Sequence, residues 1–351
     1  MSILIIGAGA VGQYLAGQLS SFGQSITLVE KSKQRVNSLN NEIIKVSDSG
    51  KVKVYIGSKV KAYLSFADIP VKDAKFDYIF ICVKAYHLKS AMEEIITFID
   101  GAKIVVFQNG LGNEELVAEY LDPSNIISAT TTTAVYPGGN TSIYTSGKGG
   151  IGIAPFSKKA SVDELYNVFG ASGFAVKKYD DYKSLKWSKL LINMLGNASC
   201  GILDMPAAEL FADSNIMKLE IVAFREAYSV MKKLGIKPVN LPDFPVALLV
   251  KLIFNAPFFA LKPFLRKKLV KGRGDKKPSL YIELLGKSKI TENEYINGAI
   301  FNATVKLGLE APANKALYDA LQDIVDNDNW DIYRGKPDKL FKMYLDNKIK
   351  T

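Results

Sequence analysis

Lys189, Asn193 and Asn197 recur every fourth residue in the run Lys186-Trp187-Ser188-Lys189-Leu190-Leu191-Ile192-Asn193-Met194-Leu195-Gly196-Asn197. On a helix these three heads share one stripe, while Trp187, Leu190, Leu191 and Met194 remain for packing. Asparagine is disfavoured inside a helix, so two of them in register with a lysine suggest a polar site. A lysine there could give a proton to an oxygen that gathers negative charge, as hydride addition to a ketone requires. Spacing alone is equally compatible with a solvated stripe. Other chemistries are easier to exclude. The single histidine, His87, cannot build a multi-histidine metal centre, and no nucleophile elbow accompanies it for a Ser-His-Asp triad. Cys82 and Cys200 have neither metal-ligand spacing nor a disulfide framework, and they fit a reducing, cytoplasmic compartment. No metal is expected.

The elements that would position such a stripe change character along the chain. Ile3–Ile6, Ser25–Val29, Tyr78–Val83 and Lys103–Phe107 read as buried strands of a parallel sheet. Val11–Phe22, Leu88–Ile99 and Glu114–Leu121 read as the helices between them. Ile126–Ile153, rich in Thr and Gly around Pro137-Gly138-Gly139-Asn140, reads as antiparallel strands. Ser161–Phe169 should be a helix and Phe174–Lys178 a strand. Beyond the polar Tyr179-Asp180-Asp181-Tyr182 stretch the pattern is helical, notably at Leu190–Leu195, Leu210–Leu234 and Glu292–Leu307. The expected fold class is therefore α/β: a Rossmann-type dinucleotide-binding domain over residues 1–181, then an all-α domain over 182–351. The second domain would bind substrate or a second subunit.

The first strand runs into Gly7-Ala8-Gly9-Ala10-Val11-Gly12, the dinucleotide fingerprint with its strand before and helix after. Gly7 would permit the tight turn, Gly9 the approach of backbone to pyrophosphate, and Gly12 the close packing of helix on sheet. Phosphate charge would face the helix N-terminus. The second strand ends in Glu30-Lys31. Glu30 suits the ribose diol of NAD(H) and repels a 2′-phosphate, whereas Lys31 would pair with that phosphate. The two argue opposite ways. Flavin also occurs on this fingerprint, but no second flavin motif is present.

Taken together, the motifs resemble the ketopantoate reductase (2-dehydropantoate 2-reductase) family along nearly the whole chain. The N-terminal fingerprint, Cys82-Val83-Lys84-Ala85-Tyr86, Gln108-Asn109-Gly110-Leu111-Gly112 and the Trp187–Asn197 run carry the likeness, as do Pro278-Ser279-Leu280 and Thr291-Glu292-Asn293-Glu294-Tyr295-Ile296-Asn297-Gly298. The resemblance implies a cytoplasmic NAD(P)-dependent oxidoreductase, using NADP(H) by family habit. It would reduce a 2-keto acid, foremost 2-dehydropantoate to pantoate. Lys189 would be the general acid, with Glu292 accepting the substrate hydroxyl and orienting Lys189. Asn109 would stand between cofactor and substrate, and Lys84 near the cofactor. Asn193 and Asn197 would bond the substrate, and Ser279 its carboxylate. Two alternatives stay open: a D-2-hydroxyacid dehydrogenase for another 2-keto acid, and a dinucleotide-binding redox sensor. Lys189, Asn109 and Glu292 together favour an enzyme, since holding a cofactor requires none of them.

The net charge of +10 over 351 residues favours anionic partners, while 48% apolar and 23% charged residues mark an ordinary globular chain. No nucleic-acid partner is expected, and no signal peptide is evident: the N-terminal apolar run is only Ile3–Ile6. One segment looks inserted ahead of Ser279. Leu241–Phe264 is apolar and aromatic and is followed by Arg266, Lys267, Lys268, Lys271, Arg273, Lys276 and Lys277. Pro245, Lys251, Pro257 and Lys262 interrupt it, so it should pack as a helical hairpin or meet a second copy in a homodimer rather than enter lipid.

Overall fold

The computed structural model describes residues 1–48, 51–54, 60–273 and 277–350. It divides into two compact units. The first comprises Met1–Gln108, Gly112–Lys186 and Asn240–Phe244, and the second Asn109–Leu111, Trp187–Val239 and Pro245–Thr351. The division falls beyond the expected cut at 181/182, inside a helix, and each unit takes a short piece of chain from the other's range.

In the first unit, Ser2–Ile6 (β1) leads to Ala10–Ser21 (α1), Ser25–Val29 (β2) and Lys33–Asn41 (α2). Lys45–Asp48 (β3), Lys51–Val54 (β4), Val60–Tyr63 (β5), Tyr78–Ile81 (β6), Leu88–Ile95 (α3), Lys103–Val106 (β7) and Asn113–Val117 (α4) follow. Next come Ile126–Thr131 (β8), Ala134–Pro137 (β9), Ser142–Ser146 (β10), Ile151–Pro155 (β11), Asp163–Ala171 (α5) and Val176–Lys178 (β12). Among the described residues an eight-stranded sheet has the order β12-β11-β8-β7-β6-β1-β2-β5. β1 pairs in parallel with β2 (Ile3 opposite Ile26) and with β6 (Ile5 opposite Phe80). Ile3 and Ile5 enter one core with Leu15 and Leu19 of α1, while Leu4 and Ile6 enter another with Leu88 and Met92 of α3. Burial on both faces explains why these strands read as unbroken apolar runs.

The Ile126–Ile153 region corrects the sequence reading in part. β8 pairs antiparallel with β11 but parallel with β7. β9 and β10 leave for a second sheet, ordered β4-β3-β10-β9, in which β10 lies parallel to β3. The helix expected over Glu114–Leu121 is the shorter α4, and the helix expected over Leu88–Ile99 ends as a 3-10 turn at Ile96–Phe98.

Tyr182–Met194 (α6) runs from the first unit's sequence into the second's, which continues with Asn197–Leu203 (α7), Ala207–Leu210 (α8) and Ser214–Lys233 (α9). Val246–Asn255 (α10), Phe258–Arg273 (α11), Ser279–Leu285 (α12), Asn297–Lys306 (α13), Pro312–Asn327 (α14) and Pro337–Lys350 (α15) complete it. The Asp213 carboxylate caps α9 by accepting from the Asn215 and Ile216 N–H groups at 2.8 and 2.9 Å. Ile216, Leu219, Ala223, Phe224, Ala227 and Val230 bury one face of that helix. The segment expected as a helical hairpin forms two helices, α10 packed against α9 and α11 packed against α8 and α9. Val250, Ile253, Leu261 and Leu265 are buried, and the Arg225 guanidinium donates to the Ile253 and Ala256 carbonyls at 2.9 and 2.7 Å, closing the end of α10. Phe259 is 79% exposed, and Arg266 and Lys267 are exposed. Lys276, and the side chains of Lys268, Lys271 and Arg273, lie outside what the structure describes. Among the described residues no helix is long and apolar enough to cross a membrane.

Candidate active site

The dinucleotide half is built by β1, the turn after it and α1. Gly7 has φ +93°, and a Cβ there would lie 2.9 Å from the Val83 nitrogen. A Cβ on Gly12 would lie 2.0 Å from the Gly7 carbonyl oxygen, so α1 approaches the turn as only glycine allows. Gly9 is exposed, with nothing within 4 Å of its added Cβ. Buried Ala8 donates its N–H to Glu30 at 3.0 Å and accepts from the Gln13 side-chain amide at 2.8 Å. Ala10 and Val11 open the helix, half-buried. An open backbone cradle at Gly9, backed by closed packing at Gly7 and Gly12, fits a pyrophosphate.

Glu30 is more occupied than its sequence position suggests. Besides the Ala8 N–H, its carboxylate accepts the Ser32 N–H at 3.0 Å and pairs with Arg35 at 3.3 Å; its side chain is 12% exposed. Lys31 is 77% exposed and reaches Glu94 at 3.1 Å. Lys31, Lys33, Ser65 and Glu94 line an open pocket of about 610 Å³. Lys84 is half-buried ahead of the 3-10 turn Ala85–His87. Burial pushes the Cys82 thiol above its ordinary range, which favours its protonated form. The sequence reading passed over Lys33 and Arg35, in the first turn of the helix after β2, because cations on a short helix carry no signal of their own.

The substrate half lies within the second unit. Lys189 and Asn193 are both half-buried, one turn apart on α6. The stripe does not continue as expected: α6 stops at Met194, Gly196 takes φ +67°, and Asn197 begins α7. A Cβ on Gly196 would lie 2.7 Å from the Phe211 ring. The buried Glu220 of α9 holds this break by accepting the Gly196 N–H at 2.7 Å and the Ser199 hydroxyl. Asn197 still reaches a candidate partner. Its amide donates to the Ser279 hydroxyl at 3.4 Å, and its carbonyl accepts the Leu280 N–H at 3.2 Å. Gly201 lets α12 come close: a Cβ there would sit 3.2 Å from Tyr281 backbone.

Asn193 donates to the Asn109 side-chain oxygen at 3.0 Å. The following Gly110 has φ +85° and no room for a side chain, since its Cβ would be 2.5 Å from the Tyr295 carbonyl oxygen. Leu111 N–H donates to that same carbonyl at 3.0 Å. Asn109 is thus tied on one side to α6 and on the other to the turn Glu292–Tyr295. Glu292 opens that turn, 3% exposed, and its N–H donates to the buried Glu283 at 3.0 Å. Burial first, then the Glu294 and Glu292 carboxylates, hold the Tyr295 hydroxyl above its ordinary pKa. Glu220 and Glu283, both buried acids in helices, had no sequence signal beyond interrupting an apolar face.

Comparison with known proteins agrees with this architecture. The description "Ketopantoate reductase PanE/ApbA" matches residues 3–158, and "Ketopantoate reductase PanE/ApbA C terminal" matches 181–325. The 2-dehydropantoate 2-reductase of Pyrococcus horikoshii is 24% identical over 322 residues, covering 91% of this chain and 95% of the relative. That of Lactococcus lactis is 25% identical over 318 residues, covering 89% and 94%. Among solved structures, D-mandelate dehydrogenase with NADH and anilino(oxo)acetate has a TM-score of 0.76 at 23% identity, covering 93% of this chain and 99% of that one. The PanE/ApbA family ketopantoate reductase of Ralstonia eutropha gives the same values, and these likenesses establish the fold. With both halves of the family's architecture matched in order, the chain belongs to the ketopantoate reductase family and is an NAD(P)-dependent oxidoreductase acting on a CH–OH group.

Proposed function

We propose that this enzyme reduces a small 2-keto acid to its D-2-hydroxy acid, with 2-dehydropantoate as substrate and pantoate as product. The observation that carries the reading is the pairing of polar side chains within the second unit. Asn193 meets Asn109 and Asn197 meets Ser279, across sequence separations of 84 and 82 residues. Amides and a hydroxyl gathered next to the Lys189 helix can trade these mutual bonds for those of a carboxylate and a ketone at little desolvation cost.

A reduced nicotinamide, when bound at the fingerprint turn, would supply the hydride. As negative charge grows on the ketone oxygen, Lys189 gives it a proton, and Asn109 and Asn193 hold the oxygen's neighbourhood by hydrogen bonds. Asn197 and Ser279 bind the substrate carboxylate. Glu292 accepts the substrate's 4-hydroxyl and orients the Lys189 ammonium; a buried carboxylate beside an anionic substrate needs such donors. On the cofactor side, Lys31 and Lys33 at the open pocket, with Glu30 turned toward Ala8 and Ser32, support NADP(H).

The test is a screen of 2-keto acids with NADH and NADPH, followed by reduced-nicotinamide absorbance, on the wild type and Glu292→Ala. A hydrogen bond to a charged acceptor contributes about 1.5–3 kcal/mol, roughly tenfold to a hundredfold in kcat/KM. Glu292→Ala should lose that much on 2-dehydropantoate and much less on 2-ketoisovalerate, which lacks the hydroxyl. Equal losses would leave Glu292 serving Lys189 alone, and a wild type preferring 2-ketoisovalerate would refute the substrate. A second reading, a D-2-hydroxyacid dehydrogenase for a different 2-keto acid, draws support from the likeness to D-mandelate dehydrogenase.

A further inference from the structure

A fully buried ion pair lies in the first unit, and the chemistry above does not use it. The Lys186 ammonium, on α6, contacts the Glu114 carboxylate at 3.0 Å, with side-chain exposures of 3% and 1%. It also donates to the Gln108 carbonyl at 2.7 Å and the Val106 carbonyl at 3.3 Å. Ser128 of β8 donates to the same Glu114 oxygen at 2.7 Å. The ammonium thus makes two hydrogen bonds to backbone carbonyls and one charge contact to a carboxylate, all of them inside the protein.

A buried pair of this kind is weak evidence for stability, because well-packed apolar residues of similar volume often serve as well or better. What the pair does provide is geometry. Val106 ends β7, and Gln108 is the residue immediately before Asn109. Lys186 is itself one turn ahead of Lys189 on α6. One ammonium therefore holds the carbonyl that leads into Asn109 and sits at the root of the helix that carries Lys189.

We propose that Lys186, paired with Glu114, is a positioning residue: it pins the Gln108–Asn109 peptide, and turnover depends on it through Asn109. The proposal rests on the catalytic reading of Asn109 given above. Removing the pin leaves the Val106 and Gln108 carbonyls without their donor and lets the peptide shift. A misplacement of about 1 Å near reacting groups can lower a rate on the order of a hundredfold.

Lys186→Met alone strands a buried Glu114 carboxylate and can fail to fold, so the working variant is Lys186→Met/Glu114→Gln, in which the pair is neutral. Three measurements on the full-length enzyme test the idea: amide hydrogen exchange of residues 106–112, steady-state kinetics, and the same kinetics in an Asn109→Ala background. The expected results are exchange at least tenfold faster in that segment, kcat lowered roughly ten- to hundredfold with KM for the keto acid within about threefold, and a loss that shrinks to within about threefold when Asn109 is already alanine. Unchanged exchange would overturn the pin, whatever the kinetics. Faster exchange with wild-type kcat, or losses that multiply with Asn109→Ala, would overturn its action through Asn109. Should the wild type reduce no 2-keto acid, the functional reading fails while the exchange result still decides the pin.

Discussion

Two glycines of the fingerprint turn have opposite jobs, and alanine at each separates them. Gly12→Ala would place a methyl 2.0 Å from the Gly7 carbonyl oxygen and 3.1 Å from its carbon, where ordinary contact begins at 3.4 Å. Closing that difference needs a retreat of about 1.4 Å (3.4 less 2.0), and both sides of the contact are backbone with no flexible chain to yield. Overpacking of this kind costs roughly 1–3 kcal/mol. At about 2–4 °C per kcal/mol, Tm should fall by roughly 2 to 12 °C. Dinucleotide affinity should fall with it, on the order of a hundredfold, since the turn's N–H groups move by more than an ångström. Gly9 sits at φ −68°, ψ −170°, an extended conformation open to any residue, with nothing within 4 Å of an added Cβ. Gly9→Ala should therefore melt within about 1 °C of the wild type, as surface substitutions do. Its methyl nevertheless enters the space a pyrophosphate would approach, so affinity should drop at least about tenfold. Thermal melts and titration of reduced-nicotinamide fluorescence measure both quantities. Wild-type affinity in Gly9→Ala, or a wild-type Tm in Gly12→Ala, would refute the reasoning.

Lys189→Met should lower kcat by roughly 10²–10⁴, the worth of a positioned acid, with dinucleotide affinity unchanged in the same fluorescence titration. Lys31→Ala/Lys33→Ala should cost NADPH about tenfold more kcat/KM than NADH, while Glu30→Gln should weaken both dinucleotides alike, because its carboxylate serves the Ala8 and Ser32 N–H groups; a selective gain for NADPH in Glu30→Gln would show the carboxylate facing a 2′-phosphate instead. Burial pushes the Glu226 carboxyl up to about 7, against the lowering pull of the Ala313 and Asn314 N–H groups and the Asn314 amide. Because its folded pKa lies above the unfolded one, the stability linked to this group is fully present below about pH 4.5 and is lost as pH rises through 7, by up to about 3 kcal/mol. Glu226→Gln should keep the capping acceptor and flatten Tm between pH 5 and 8; an unaltered pH profile would mean the carboxyl ionises freely in the fold.

How much of this was legible beforehand depended on how local the cause was. The strand–Gly7–Gly9–Gly12–helix unit could be read directly, because the turn, the close approach and the helix start are all set by residues within ten positions of one another. The buried strands were equally plain, since burial on both faces leaves runs such as Ile3–Ile6 without polar interruption. The order of motifs from Asn109 to Glu292 pointed to the family for the same reason: each motif is short and self-contained. Long-range pairing decided the rest. Four-residue spacing runs straight through Gly196, and only Glu220 and Phe211, brought in by later helices, show that the helix breaks there and Asn197 starts another. Glu30 and Lys31 are adjacent in sequence. Yet Ala8, Ser32 and Arg35 draw the carboxylate inward, while Lys31 stays at the open pocket. The four strands of Ile126–Ile153 looked like one antiparallel set, but β7 and β3 recruit them into different sheets. The helix-period reading of the Trp187–Asn197 run assigned no role to Lys186. It is buried because Glu114, Gln108 and Val106 converge on it, some eighty residues away along the chain. Periodicity reports which face a residue occupies, whereas the partner waiting on that face is chosen by the tertiary fold.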